Sequence, residues 1–135
     1  MTALDVVHEW VEAVTAASVP RVMARSAGDI VLGGPRGTIR GQPALRDWVE
    51  NGGLQMFTER RFAAGTRVVL AQRAVWRDRR GLPIADARIA HRFAVDEGRV
   101  SVAVRYDSLA KALADSQLTE ADEIDAGPEA GGTSH

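Results

Sequence analysis

The apolar positions of this chain change period once, near Leu54. Ahead of that point they repeat at helical spacing. Leu4, Val7, Trp10, Val11 and Val14 form one stripe, and Thr2 with Asp5 makes a capping box in front of it, which predicts a helix to about Ala17. Ser18 as cap and Pro20 in the first turn predict a second, short helix with Val19, Val22 and Met23 inward, ending near Gly28. A turn at Gly28-Asp29 leads into a first strand, Ile30-Val31-Leu32, and Gly33 to Gly41 reads as a loop or distorted edge. Gly41 and Pro43 open a third helix with Ala44, Leu45, Trp48 and Val49 inward, stopped by Gly52-Gly53.

Beyond Leu54 an alternation of period two predicts four β segments, about Gln55 to Ala64, Arg67 to Arg77, Pro83 to Val95 and Arg99 to Tyr106. Their connections are too short for a crossover, so neighbours are antiparallel. A last helix, Ser108 to about Ser116, turns Leu109, Ala112 and Leu113 inward. This order of elements predicts an α+β domain in which a curved, mostly antiparallel sheet wraps around N-terminal helices.

The final hairpin decides which side chains meet. Asp96-Glu97-Gly98 suits a three-residue loop with Gly98 left-handed, because a two-residue type I′ loop forces Glu97 into positive φ. That register pairs Val95 with Arg99, His91 with Ala103 and Ile89 with Arg105. His91, Arg105 and, at the strand end, Asp107 then share a face with Ala85, Ala87, Phe93 and Val95, an arrangement suited to a small-molecule pocket. The other face carries Val100, Val102, Val104 and Tyr106 beside Asp86, Arg88 and Arg92. That apolar stripe reads as a homodimer interface, or as core if the register is reversed.

With 135 residues the chain is one domain. No run approaches the ~18 apolar residues of a membrane span and the first residues lack signal-peptide character, so the expected location is cytoplasmic, without a membrane partner. Cysteine is absent, which excludes thiolate chemistry and disulfides. Five acids (Glu120, Asp122, Glu123, Asp125, Glu129) and no Lys or Arg lie from Thr119 onward, so residues 1–118 hold 17 bases against 13 acids. The expected organisation is a folded domain over 1–118 and a disordered acidic tail over 119–135. Arginine outnumbers lysine sixteen to one, a bias of the kind GC-rich bacterial genomes produce. Without clustered lysines or interleaved aromatics it makes no nucleic-acid footprint. His8, His91 and His135 lack ligand spacing, so neither a metal nor a cofactor is implied. The glycine-rich segment has Arg36 and Arg40 but lacks the ending of a phosphate-binding loop.

Gly33-Gly34-Pro35-Arg36-Gly37, Arg40-Gly41, Leu45, Trp48, and Phe93-x-Val95-x-x-Gly98-Arg99-Val100 running on to Arg105-Tyr106-Asp107 resemble the nuclear transport factor 2-like superfamily in its SnoaL-like branch, over residues 4 to 118. The resemblance implies a cone-shaped barrel, related to the cystatin-like fold, with a hydrophobic pocket. In ketosteroid isomerases of this superfamily an acid that donates to the oxyanion falls at or near His91, while their basic Asp has no counterpart among Gly33 to Arg40. The water-activating Asp-Arg-Asp set of its epoxide hydrolases is broken, since Arg105 takes one Asp position and the middle strand reads Arg73-Ala74-Val75. His91 with Asp107 loosely echoes the His and Asp of its polyketide cyclases.

His91 is either a pocket acid–base or a satisfied core histidine. Arg105 is either an anion or enolate stabiliser or a structural ion-pair partner. Asp107 either orients these two or caps the last helix. Trp10, Trp48 and Phe93 line the pocket or pack the core, and Trp76 is equally open. The expected function is binding of a small hydrophobic metabolite, with cofactor-independent isomerisation, cyclisation or dehydration through His91, Arg105 and Asp107. The alternative is a non-catalytic ligand-binding or protein-interaction module that forms a homodimer.

Overall fold

In the computed structural model, which describes residues 1–124, the capping box closes as its residues require. The Asp5 N–H donates to Thr2 Oγ1 (3.1 Å) and the Thr2 N–H to the Asp5 carboxylate (2.8 Å), starting α1 (Ala3–Thr15). α2 (Val19–Ala24) is shorter than its sequence suggests, because Ser26 already belongs to β1 (Ser26–Gly34). Trp10 Nε1 donates to Ser26 Oγ (2.9 Å), which donates onward to the Val22 carbonyl (2.7 Å), so one buried hydroxyl ties α1, α2 and β1 together. Gly28 therefore lies inside a strand and does not end a helix. The glycine-rich segment forms a hairpin with β2 (Gly37–Arg40), and α3 (Gln42–Gly52) follows.

β3 (Leu54–Ala64), β4 (Arg67–Arg77), β5 (Pro83–Asp96) and β6 (Arg99–Tyr106) fall where the alternation places them, and Ser108 caps α4 (Leu109–Ser116). With β7 (Glu123–Ile124) they make one sheet in the order β2-β1-β6-β5-β4-β3-β7, in which only β1 and β6 run parallel. Register shifts between β1 and β6, β3 and β4, β4 and β5, and β5 and β6 bend the sheet, which is curved and open, with β2 and β7 as its edges. Its concave face packs on α1 to α3 through Trp10, Ile30, Leu45, Leu70 and Phe93, all fully buried. Burying each of these large side chains contributes roughly 1.5–3 kcal/mol. A second cluster on the convex face sets Phe62, Val69 and Ala90 against Ala112, Leu113 and Leu118.

Three expectations change. The β5–β6 loop is the two-residue form, with Glu97 at φ 50° and Gly98 at φ 75°, and a bulge follows, so Val95 pairs with Val100 and His91 with Arg105. The body of the ladder is thus displaced by two residues from the expected pairing, which keeps every side chain on its face and moves His91 directly opposite Arg105. Secondly, Val100 precedes the bulge and is fully buried in the concave core, while α4 packs over Tyr106; of the convex stripe, Val102 and Val104 remain half-buried. Finally, Thr119–Ile124 is not part of a loose tail. A 3₁₀ turn over Glu120–Asp122 leads into β7, whose Glu123 and Ile124 pair with Phe62 and Arg61 of β3. Arg60 clasps Glu123 (2.9 and 2.8 Å) and Glu120 (2.7 Å), so the acids of this stretch serve as ion-pair partners. The rest of the expected tail lies outside the described residues.

Gly53 ends α3 at φ 60°, and a Cβ there would collide with the Arg77 carbonyl oxygen at the start of the β4–β5 connection. Gly53→Ala is expected to lower unfolding stability by at least about 2 kcal/mol in urea titration, from left-handed strain and the clash together.

Candidate ligand-binding site

A cavity of about 680 Å³ opens on the concave side. Its wall is built from Leu32 on β1, Trp48 on α3, Leu54 on β3 and Trp76 on β4, and the tip of the β1–β2 hairpin, with Pro35 and Arg36, forms one rim. The glycine-rich segment, expected as a loop or distorted edge, is thus a wall of the pocket. His91 and Arg105 enter from β5 and β6, side by side on paired residues. Among the described residues no Asp or Glu lines the cavity.

Arg105 lies 5.7 Å from the centroid of the Trp76 ring, a cation–π contact, and has no carboxylate partner among the described residues. Its charge therefore faces the cavity uncompensated, with Arg36 on the same rim.

His91 is 3% exposed, and its Nδ1 lies 2.9 Å from Oε1 of Gln72, itself 1% exposed. An amide oxygen can only accept, so Nδ1 carries the proton and Nε2 keeps its lone pair. Nε2 makes no hydrogen bond, yet only His8 Nε2 and Gln72 Nε2 are both unpartnered and sealed from solvent among the described residues; His91 Nε2 is therefore open to the cavity. Burial, and secondly the Arg105 charge, push the His91 imidazole down to about 3. The ring is a neutral acceptor at physiological pH. Gln72 was missed by the sequence reading, although a signal existed: it interrupts the inward series Val68, Leu70, Ala74, Trp76 with an amide.

The other expected residues separate. Trp48 lines the cavity. Trp10 is fully buried behind it, stacked on Trp48 (6.0 Å, 19°) with its N–H on Ser26, and Phe93 packs edge-on against Trp10 (5.7 Å, 72°). Neither reaches the cavity wall. Both are core, because Trp10 on α1 and Phe93 on the concave face of β5 pack against each other where the helix covers the sheet. Asp107 is exposed and outside the cavity, and the α4 cap is Ser108, whose Oγ accepts from the Lys111 N–H. Asp107 thus neither orients His91 nor caps the helix. His91 and Arg105 are the two expected catalytic residues brought together.

No protein-family model and no curated protein matches the sequence. Solved structures do match in fold. An NTF2-like protein of unknown function from Cytophaga hutchinsonii has a TM-score of 0.68 at 19% identity, over 78% of this chain and 89% of that one. Rv0760c from Mycobacterium tuberculosis, in complex with estradiol-17β-hemisuccinate, has a TM-score of 0.68 at 17% identity, over 80% and 95%. An epoxide hydrolase from M. tuberculosis, of the LEH-like kind, has a TM-score of 0.67 at 18% identity, over 85% and 84%. The chain has the nuclear transport factor 2-like fold, in agreement with the resemblance carried by its glycine-rich segment and final hairpin.

The buried, neutral imidazole gives a pH signature. His91 in the unfolded chain takes up a proton near pH 6.5, whereas in the fold it does so only near pH 3. Stability is therefore unaffected by this group above pH 6.5 and falls progressively between pH 6.5 and 3. In urea unfolding across that window, His91→Phe is expected to flatten the slope, and ring NMR signals of the wild type should show no protonation at pH 5.

Proposed function

We propose that this chain binds a small, largely apolar metabolite bearing an acidic or enolisable oxygen, which docks on Arg105. The observation that carries the reading is an unpaired guanidinium beside a neutral imidazole in a cavity walled mainly by Leu, Trp, Ile, Ala and the glycine-rich hairpin, with Arg36 on its rim and no carboxylate among the described lining residues. Such a wall favours an aromatic or polycyclic body with an anionic end. The steroid hemisuccinate held by Rv0760c, which shares the fold, has that combination and supports the reading. Among activities of the fold, a SnoaL-like role suits the site better than epoxide hydrolysis, whose water-activating carboxylates have no equivalent on this wall.

His91 Nε2 accepts a hydrogen bond from a ligand hydroxyl beside that anion. Catalysis is a second reading, favoured by this free Nε2 standing opposite Arg105. A ligand anion on Arg105 cancels part of the repulsion that depresses the imidazole and so raises its basicity. Cofactor-independent proton transfer would then run through His91, with Arg105 stabilising the enolate.

Quenching of Trp48 and Trp76 fluorescence by 2-naphthoate and by neutral 2-naphthamide tests the binding reading. The carboxylate should bind about tenfold more tightly than the amide, the worth of one charged hydrogen bond. Arg105→Leu should erase the preference while leaving the amide's affinity in place. Equal affinities of acid and amide for the wild type would overturn it.

A further inference from the structure

β5 is 14 residues long, but β6 reaches only as far as Ala90, where Tyr106 is its last partner. From Pro83 to Ile89 the strand therefore has β4 on one side and, among the described residues, no strand on the other. Pro83–Arg88 is also exposed on both faces. Ile84 is 67% exposed and the neighbouring Leu82 55%. An edge of unpaired N–H and C=O groups carrying apolar side chains is a template for another strand. The usual protections are thin here: Pro83 lacks an N–H only at the first residue, the segment holds no lysine, and no helix among the described residues covers it.

The charges on this arm identify the strand it fits. Asp86 and Arg88 both stand on the convex face, two residues apart, with Ala87 between them on the concave face. In an antiparallel pairing of two copies about a two-fold axis through Ala87, Asp86 stands opposite Arg88 of the partner subunit, and the same pair recurs across the axis. Ala85 then meets Ile89 of the partner subunit on the concave face. Moving the axis to Asp86 or to Arg88 sets like charges against themselves, and a half-step joins the convex face of one sheet to the concave face of the other. A single register is thus both charge-matched and face-matched. Asp86 has no cation partner among the described residues, and Arg88, 79% exposed, holds only Glu59 at 3.3 Å, so its guanidinium has donors to spare.

We propose that two copies of this chain pair through residues 85–89 of β5, joining their sheets edge to edge in the register Asp86 to Arg88. This surface is separate from the half-buried Val102 and Val104 stripe and from the cavity. A ladder of this length is smaller than the about 1,200 Å² of a standard stable interface, so the dimer dissociates on dilution.

Sedimentation over a concentration series tests the pairing. The wild type should show a monomer–dimer equilibrium, and Asp86→Arg and Arg88→Asp should each raise the dissociation constant at least about tenfold, since each sets two like-charge pairs face to face. The double variant restores the complementarity and should recover the dimer, as should an equimolar mixture of the two single variants. That recovery also shows that the single variants fold. Three results would overturn the proposal: a wild type that stays monomeric, a dimer indifferent to both single changes, or a double variant that stays monomeric.

Discussion

The site depends on one extra residue in the β5–β6 ladder. The two-residue turn at Glu97-Gly98 pairs Asp96 with Arg99 and Val95 with Val100, and continued without interruption it would set His91 opposite Val104. Arg105 would then point to the convex surface and a valine into the cavity, since a slip of one residue reverses every side chain. The bulge after Val100 adds the missing step, and His91 meets Arg105. It also lets Val100 bury itself in the concave core while Val102 and Val104 face outward. The left-handed Glu97 costs about 1 kcal/mol, a strain that the strands on either side, tied by core residues such as Phe93 and Val100, can hold.

Within that frame the wall separates two polar groups by function. His91 is held neutral by burial, with its proton on Nδ1 by virtue of Gln72, and the Arg105 guanidinium lies over the face of Trp76. A second charge as deep as His91 would need a counter-ion, and the concave face supplies none among the described residues. The result is an acceptor beside a cation, the pair on which the proposed recognition of a hydroxyl next to an anionic oxygen rests.

Much of this was legible in the chain. Strands β3 to β6 and the helices appear within a few residues of their predicted ends, because each buries one face and so carries its period in the sequence. The pocket pair was legible for a different reason: the predicted turn was wrong, but its error and the bulge together displaced the register by two, which preserves faces. Asp107 misled because proximity in sequence to His91's neighbours says nothing of where a strand ends and the chain turns away. Trp10 and Phe93 misled because an inward aromatic is identical in sequence whether a helix covers it or a cavity borders it. Thr119–Ile124 misled because its acids read as solvated until Arg60 and the free edge of β3 are placed beside them.

The sequence by itself determined the elements and the faces they bury, since these follow from local period, caps and turn residues, and its resemblance to the nuclear transport factor 2-like superfamily implied the fold. Only the tertiary structure decided which polar groups meet: the Gln72–His91 hydrogen bond, Arg105 over Trp76, and the hairpin of Gly33 to Arg40 as a cavity wall. Those contacts set side chains of different elements against one another. They depend on sheet curvature and bulges, whose cost and position are set by packing across the whole sheet rather than by any short run of residues.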